Sequence, residues 1–238
     1  MEVINDIVGK NLKIYQDDEF FKFSLESVLL PNFVEIRLRD KKILDLCSGN
    51  CPIPLILSKK TNIPITAVEL QKEIYDLGIK SIKINHKENQ ITLLNEDVCN
   101  LNNVFSGDTF DVITVNPPYF KNIETSLKNK NDIKTIARHE NNLTLSKLLK
   151  ISSYLLKENG NFYMVHRTER LIEILDELKK YNLTPKTIQF IYPNYNQESK
   201  LFMIKASKGG KSGLKVIDGI YIHNEDGSYR DEIKRIFE

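Results

Sequence analysis

Lys42-Ile43-Leu44-Asp45-Leu46-Cys47-Ser48-Gly49-Asn50-Cys51-Pro52-Ile53-Pro54-Leu55-Ile56-Leu57 reads as a short apolar strand, a tight loop of small residues and an apolar helix. That succession is the nucleotide-binding turn of a Rossmann-like unit, in which the chain passes close beneath a ligand. Only Gly49 of the loop is glycine, so the dinucleotide fingerprint is not met, and Cys47 and Cys51 read as small residues in glycine-like slots. A cysteine metal site is not expected. The two cysteines have no matching pair, and His86, His139, His166 and His223 are scattered along the chain.

Downstream, Pro64 to Leu70 reads as a second strand ending on the acid Glu69. An acid about twenty residues after such a loop is placed to accept from both hydroxyls of a ribose, although a solvated strand-end carboxylate would look the same. Gln71 to Glu88 follows as a helix with Ile74, Leu77 and Ile84 on one face, and Ile91 to Asn95 as a third strand. Asp97 beyond it is either an acceptor for an adenine amino group or a helix-capping acid. The β-branched run Phe110 to Val115 reads as a buried parallel strand, and it delivers Asn116-Pro117-Pro118-Tyr119 to the edge where open α/β sheets bind ligands. Two prolines remove two backbone donors and stiffen the turn, which leaves the Asn116 carboxamide oxygen and the Pro117 carbonyl as acceptors beside an aromatic ring. That set suits a planar amine: two acceptors favour a pyramidal nitrogen with its lone pair aimed at an electrophile, while Tyr119 stacks on the base. A plain strand-ending turn is the competing reading.

The 238 residues, 41% hydrophobic and 28% charged, suffice for one α/β domain. Its expected parts are an N-terminal extension over 1–41, a core over 42–206 and a hairpin-like cap over 207–238. With 34 Lys and Arg against 32 Asp and Glu, the net charge of +2 excludes a globally basic nucleic-acid binder, so any basic surface is local. Three cysteines without a CxxC argue against a disulfide framework, and no secretory leader or eighteen-residue apolar window occurs; a cytoplasmic, non-membrane protein is expected. Phe20 to Pro31 begins strand-like and becomes a short helix capped by Ser24 or Ser27. Residues 120–142 gather Lys121, Lys128, Lys130, Lys134 and Arg138 beside the tetrapeptide, either as a solvated loop or as phosphate contacts. Beyond lie a helix through Leu145 to Leu156 ended by Asn159-Gly160, a strand Asn161 to His166, and a helix through Leu171 to Leu178 capped by Thr168. Strands over Lys186 to Tyr192 and Lys200 to Ala206 complete the pattern. The expectation is α/β: a seven-stranded, mostly parallel, doubly wound sheet with an antiparallel last pair.

Taken together, Asp45 to Cys51, Glu69, Asp97 and Asn116 to Tyr119 resemble the ordered motifs of a class I S-adenosylmethionine-dependent methyltransferase. Phe23 to Leu30, Ala137-Arg138-His139-Glu140 and Ile222 to Tyr229 are similar, more narrowly, to the bacterial tRNA adenine-N6 methyltransferases, which act on the adenosine beside the anticodon of a valine tRNA. The resemblance implies S-adenosylmethionine as cofactor, tRNA as partner, no metal, and a monomer. It implies cofactor contacts from Phe23, Glu26, Asp45, Cys47, Gly49, Glu69, Leu70, Asp97, Val98 and Asn116, with Glu69 on the ribose and Asp97 on the adenine. Catalysis falls to Asn116, Pro117, Pro118 and Tyr119, and RNA contact to Lys121, Lys128, Lys130, Lys134 and Arg138. The chain departs from the family pattern at Cys47 and Cys51, where glycines are usual, and at Glu26, where an aspartate is common. The same tetrapeptide serves enzymes that methylate a release-factor glutamine or guanine N2 of ribosomal RNA, and a non-catalytic RNA-binding module on this fold is the alternative outside enzymes. If the loop lysines contact phosphates, Lys128→Ala with Lys130→Ala should raise KM for tRNA and flatten its salt dependence by about one unit of slope per contact. Methylation kinetics over a salt series measure this, and an unchanged slope returns the loop to solvent.

Overall fold

A computed structural model describes residues 2–7, 11–17, 24–118 and 143–237. Phe23, Tyr119, Lys121, Lys128, Lys130, Lys134 and Arg138 therefore lie outside the described residues. The centre of the fold is strand β3 (Ile43–Leu46), with every residue buried. On one side it pairs in parallel with β4 (Ile65–Glu69), Ile43 opposite Ile65, and β4 with β5 (Ile91–Asn95). On the other side β3 pairs in parallel with β6 (Phe110–Val115), Ile43 opposite Val112, and β6 with β7 (Leu156–Arg167). Strand β9 (Leu201–Lys208) runs antiparallel between β7 and β8 (Leu183–Tyr192). These apolar runs form a parallel core because helices cover both faces, so neither side of a strand needs polar residues.

Alternation along β7 shows how the two faces are filled. Phe162 and Met164 pack on one side with α4 (Leu145–Leu155) and α5 (Leu171–Lys180), through Leu148, Leu149, Ile174 and Leu178. Tyr163 and Val165 pack on the other with α1 (Glu26–Phe33) and α2 (Pro52–Lys60), through Val28, Leu29, Leu55 and Ile56. The Tyr163 hydroxyl donates to the Glu35 carbonyl at 3.1 Å, which ties the end of α1 to the sheet. At the other end of the core, Asp111 accepts from the backbone N–H groups of Lys41 and Lys42 at 3.0 Å each and from Lys157 Nζ, fixing where β3 enters. Helix α3 (Lys72–Ile84) follows β4 and is shorter than the expected Gln71–Glu88, because the chain leaves helical geometry and His86 adopts φ 54°.

Among the described residues the main sheet has eight strands, not seven, in the order β10-β8-β9-β7-β6-β3-β4-β5. The added strand, β10 (Lys215–Tyr221), lies at the edge parallel to β8. A side chain at Gly219 would meet the Tyr192 ring at 2.6 Å, so glycine there lets β10 approach closely. Tyr192, Tyr221 and Tyr195 then stack in a column, with centroids 4.9 and 4.1 Å apart, closed by Arg230 over the Tyr195 ring. Arg230 immediately precedes the last helix, α6 (Asp231–Phe237).

Three further helix-boundary expectations change. Neither Ser24 nor Ser27 caps α1, whose first turn starts at Leu25 without a side-chain cap; Ser27 instead lies inside the helix and is buried. Thr168 does not cap α5, because a 3-10 turn over Thr168–Arg170 intervenes and the Thr168 hydroxyl meets Ser199 at 3.1 Å. Helix α4 ends at Leu155 rather than Asn159-Gly160, and the extended chain resumes at once in β7. A two-stranded hairpin, β1 (Glu2–Ile7) with β2 (Leu12–Asp17), had no counterpart among the expected strands. It lies against α3, where Tyr15 N–H donates to Ser81 Oγ at 2.9 Å and Asn85 bonds both backbone groups of Lys13. Among the described residues no helix is long and apolar enough to cross a membrane.

Candidate active site

Parallel pairing brings the carboxyl ends of β3, β4, β5 and β6, and the loops after them, to one edge of the sheet, where open α/β sheets bind ligands. The first loop is unusually constrained. Cys47, Gly49 and Cys51 all adopt left-handed backbone, with φ of 56°, 56° and 74°. The two cysteines thus occupy glycine-like positions at a conformational cost of roughly 1–2 kcal/mol each. A Cβ on Gly49 would have nothing within 4 Å, so the backbone here is open to a ligand. Ser48 stitches the loop to β4: its N–H donates to the Val68 carbonyl at 2.9 Å, its hydroxyl accepts from Val68 N–H at 3.1 Å and donates to the Asp45 carbonyl at 2.9 Å.

Glu69 is buried at the end of β4, where Oε2 accepts from Gly49 N–H at 3.0 Å and Oε1 from Gln71 N–H at 2.8 Å. It is therefore a positioned carboxylate, not a solvated one. Asn95 donates from Nδ2 to the carbonyls of Glu69 and Leu70, locking the end of β5 to that of β4. Asp97 caps the following 3-10 turn (Val98–Asn103), its Oδ1 accepting from Cys99 N–H at 2.8 Å. The cap engages one oxygen of a carboxylate that carries two. Val98 is buried beneath, and Leu70 is exposed at the rim.

Asp45 is fully buried and accepts from the Thr114 hydroxyl on β6 at 2.5 Å, while its Oδ2 has no partner. Burial raises its pKa to about 7, against the hydrogen bond from Thr114, with the nearby Glu69 charge adding to the rise. Burial likewise pushes the Cys47 and Cys51 thiols well up, so both stay protonated and unreactive. Asn116 follows directly at the end of β6, half-buried, with Pro117 buried and Pro118 exposed. Its Nδ2 donates to Ser27 Oγ at 3.1 Å, which sets the orientation of the carboxamide. Ser27 is a positioning partner that helix-cap reasoning did not find; its place in the Phe-Ser segment was the available signal. Glu26, the first residue of α1, is half-buried beside it. Among the described residues no group of three or more His, Cys, Asp or Glu could hold a metal ion.

A left-handed loop held by a buried acid at the carboxyl edge of a parallel sheet is the frame of a Rossmann-like nucleotide-binding fold. The chain belongs to the methyltransferase small domain family, whose model matches residues 26–190. A relative from Cytophaga hutchinsonii, named tRNA1(Val) (adenine(37)-N6)-methyltransferase, is 27% identical over 194 residues, covering 81% of this chain and 78% of its own. A protein of the same name from Shewanella woodyi is 24% identical over 217 residues, 88% of each chain. Among solved structures, a predicted O-methyltransferase from Agrobacterium tumefaciens superposes with a TM-score of 0.69 at 14% identity, over 88% of this chain and 94% of that one. M. jannaschii TYW2 in complex with AdoMet gives 0.58 at 16% identity, over 87% and 85%. These two neighbours share the fold.

The raised pKa of Asp45 has a consequence for stability. The unfolded carboxyl ionises near 3.8 and the folded one near 7, so the folded chain holds the extra proton between those values. Its stabilising contribution is full below about pH 4 and is lost as the pH rises through about 7. Asp45→Asn should therefore raise the Tm of the protein alone at pH 8 by more than it does at pH 5. Thermal unfolding followed by circular dichroism at both values measures this, and an equal shift at both would contradict an ionising Asp45.

Proposed function

We propose that this methyltransferase uses S-adenosylmethionine to methylate N6 of the adenine at position 37 of tRNA1(Val), acting as a cytoplasmic monomer. The observation that carries the reading is the turn Asn116-Pro117-Pro118 at the end of β6, its carboxamide oriented by Ser27, on the same sheet edge as the loop held by Glu69. The names of the relatives over most of the chain support adenine N6 of tRNA as the target.

The residues fit the cofactor. Backbone open above Gly49 admits the close approach of a ligand, and Glu69 offers its carboxylate to the ribose hydroxyls. Asp45 Oδ2, buried and unpartnered, complements an ammonium at the amino-acid end. Asp97 and Val98 flank the adenine, with Cys47, Leu70, Glu26 and Phe23 completing the contacts. When bound, S-adenosylmethionine supplies an electrophilic methyl group on a sulfonium.

Asn116 Oδ1 and the Pro117 carbonyl accept from the two hydrogens of the target amine. That arrangement disfavours delocalisation of its lone pair into the ring and aims it along the line of transfer. Tyr119 stacks on the splayed base, and Pro118 stiffens the turn. The bound cofactor would supply the methyl group, the S–C electron pair leaving on sulfur as the N–C bond forms. The nitrogen, now strongly acidic, loses its proton to water, so no strong general base is needed. Lys121, Lys128, Lys130, Lys134 and Arg138 contact phosphates of the tRNA.

Asn116→Ala should lower kcat by about a hundredfold or more with cofactor affinity nearly intact, because its contribution belongs to the transition state. Ser27→Ala should lower kcat by roughly ten- to a hundredfold through misorientation of the same amide. Single-turnover methylation of unmodified tRNA, with nucleoside mass analysis at adenine 37, measures both; wild-type turnover in Asn116→Ala would remove the amine-positioning mechanism. Glu69→Ala should weaken S-adenosylmethionine binding by about 1.5–3 kcal/mol by calorimetry. Unchanged affinity would take Glu69 out of the cofactor site.

A further inference from the structure

Among the described residues, three buried side-chain polar atoms lack a hydrogen-bond partner: Gln16 Nε2, Asp45 Oδ2 and Glu177 Oε2. Buried polar groups are nearly always paired, so each such atom calls for a reason. Glu177 lies on α5, on the other face of the sheet. The remaining two are one donor and one acceptor, and the chain places both at the 47–51 loop.

The hairpin leads Gln16 there step by step. Lys13 bonds Asn85 near the end of α3, Tyr15 N–H reaches Ser81 a turn earlier, and the Tyr15 carbonyl accepts from Asn50 Nδ2 of the loop at 2.7 Å. Gln16 is the next residue. Alternation along β2 puts it on the face of Leu12 and Ile14, which pack into the cluster containing Cys51 and Val28, and Gln16 itself is 3% exposed. Asn5 Nδ2 donates to Gln16 Oε1 at 2.6 Å. That bond turns the amide so that its NH2 group is the end left unpaired. Nothing about β2 alone requires a glutamine here, since an apolar residue would continue the pattern without burying an unpaired donor.

We propose that Gln16 is a cofactor-binding residue whose Nε2 donates to the carboxylate at the methionine end of S-adenosylmethionine, opposite the ammonium facing Asp45. The inference rests on the cofactor reading above and extends the binding site to the N-terminal hairpin. Donor and acceptor then match the two charges of one amino-acid zwitterion.

The test separates the two ends of the ligand. S-adenosylhomocysteine carries the amino-acid group, whereas methylthioadenosine keeps the nucleoside and lacks it. Gln16→Met, which preserves packing, should raise the calorimetric Kd for S-adenosylhomocysteine about tenfold or more and leave that for methylthioadenosine unchanged. Gln16→Glu, with an acceptor in place of the donor, should weaken S-adenosylhomocysteine further still. If both ligands lost affinity equally, Gln16 would only support the loop, and if neither did, it would lie outside the site; either result overturns the proposal. A wild-type chain that bound neither ligand would instead overturn the cofactor reading, and this inference with it.

Discussion

One carboxylate, that of Glu69, holds the functional edge together. By accepting from Gly49 and from Gln71 it joins the loop after β3 to the start of α3, and its own carbonyl receives Asn95 from the end of β5. A buried anion is stable only where hydrogen bonds replace its hydration, and two backbone N–H groups do so here. The left-handed loop could not rest in its strained form without such an anchor. The residue thus holds three chain segments together at one edge of the sheet.

The centre of the parallel core was legible because its strands are buried on both sides: Ile43 to Leu46 and Phe110 to Val115 announce themselves without any pairing information. Loop shape was legible too, since Cys47 and Cys51 flank Gly49 at glycine-like spacing, and both prove to be left-handed. The added edge strand and the N-terminal hairpin were not. The strand β10 is largely exposed, with Val216 63% accessible, and its parallel pairing with β8 depends on the crossover geometry and on the missing side chain of Gly219. For β2 the alternation Leu12, Ile14, Gln16 was available, but a glutamine in the third buried place weakens the pattern.

Site residues divided along the same line. Asp45, Glu69, Asp97 and Asn116 stand at strand ends, where position alone marks them. Ser27 and Thr114 act through hydrogen bonds spanning 89 and 69 residues of sequence, and no local pattern encodes such partners. Caps failed for a related reason: Ser27 was the right residue type to accept a bond, but a more distant donor claims it.

Those separations also bear on how the molecule is made. Helix α1 is synthesised long before the groups it must meet: Asn116, and Tyr163, whose hydroxyl grips Glu35 128 residues earlier. The hairpin likewise waits for Ser81. Contacts of such range close large loops and tend to form late, whereas β3-α2-β4 and its neighbours pair locally. The sheet itself needs one such contact, since β3 meets β6 across 69 residues, and the Ser27–Asn116 bond can close only once β6 has been made. The carboxamide of Asn116 takes its orientation only with that bond, so the local β3-α2-β4 unit can form before this side chain is set.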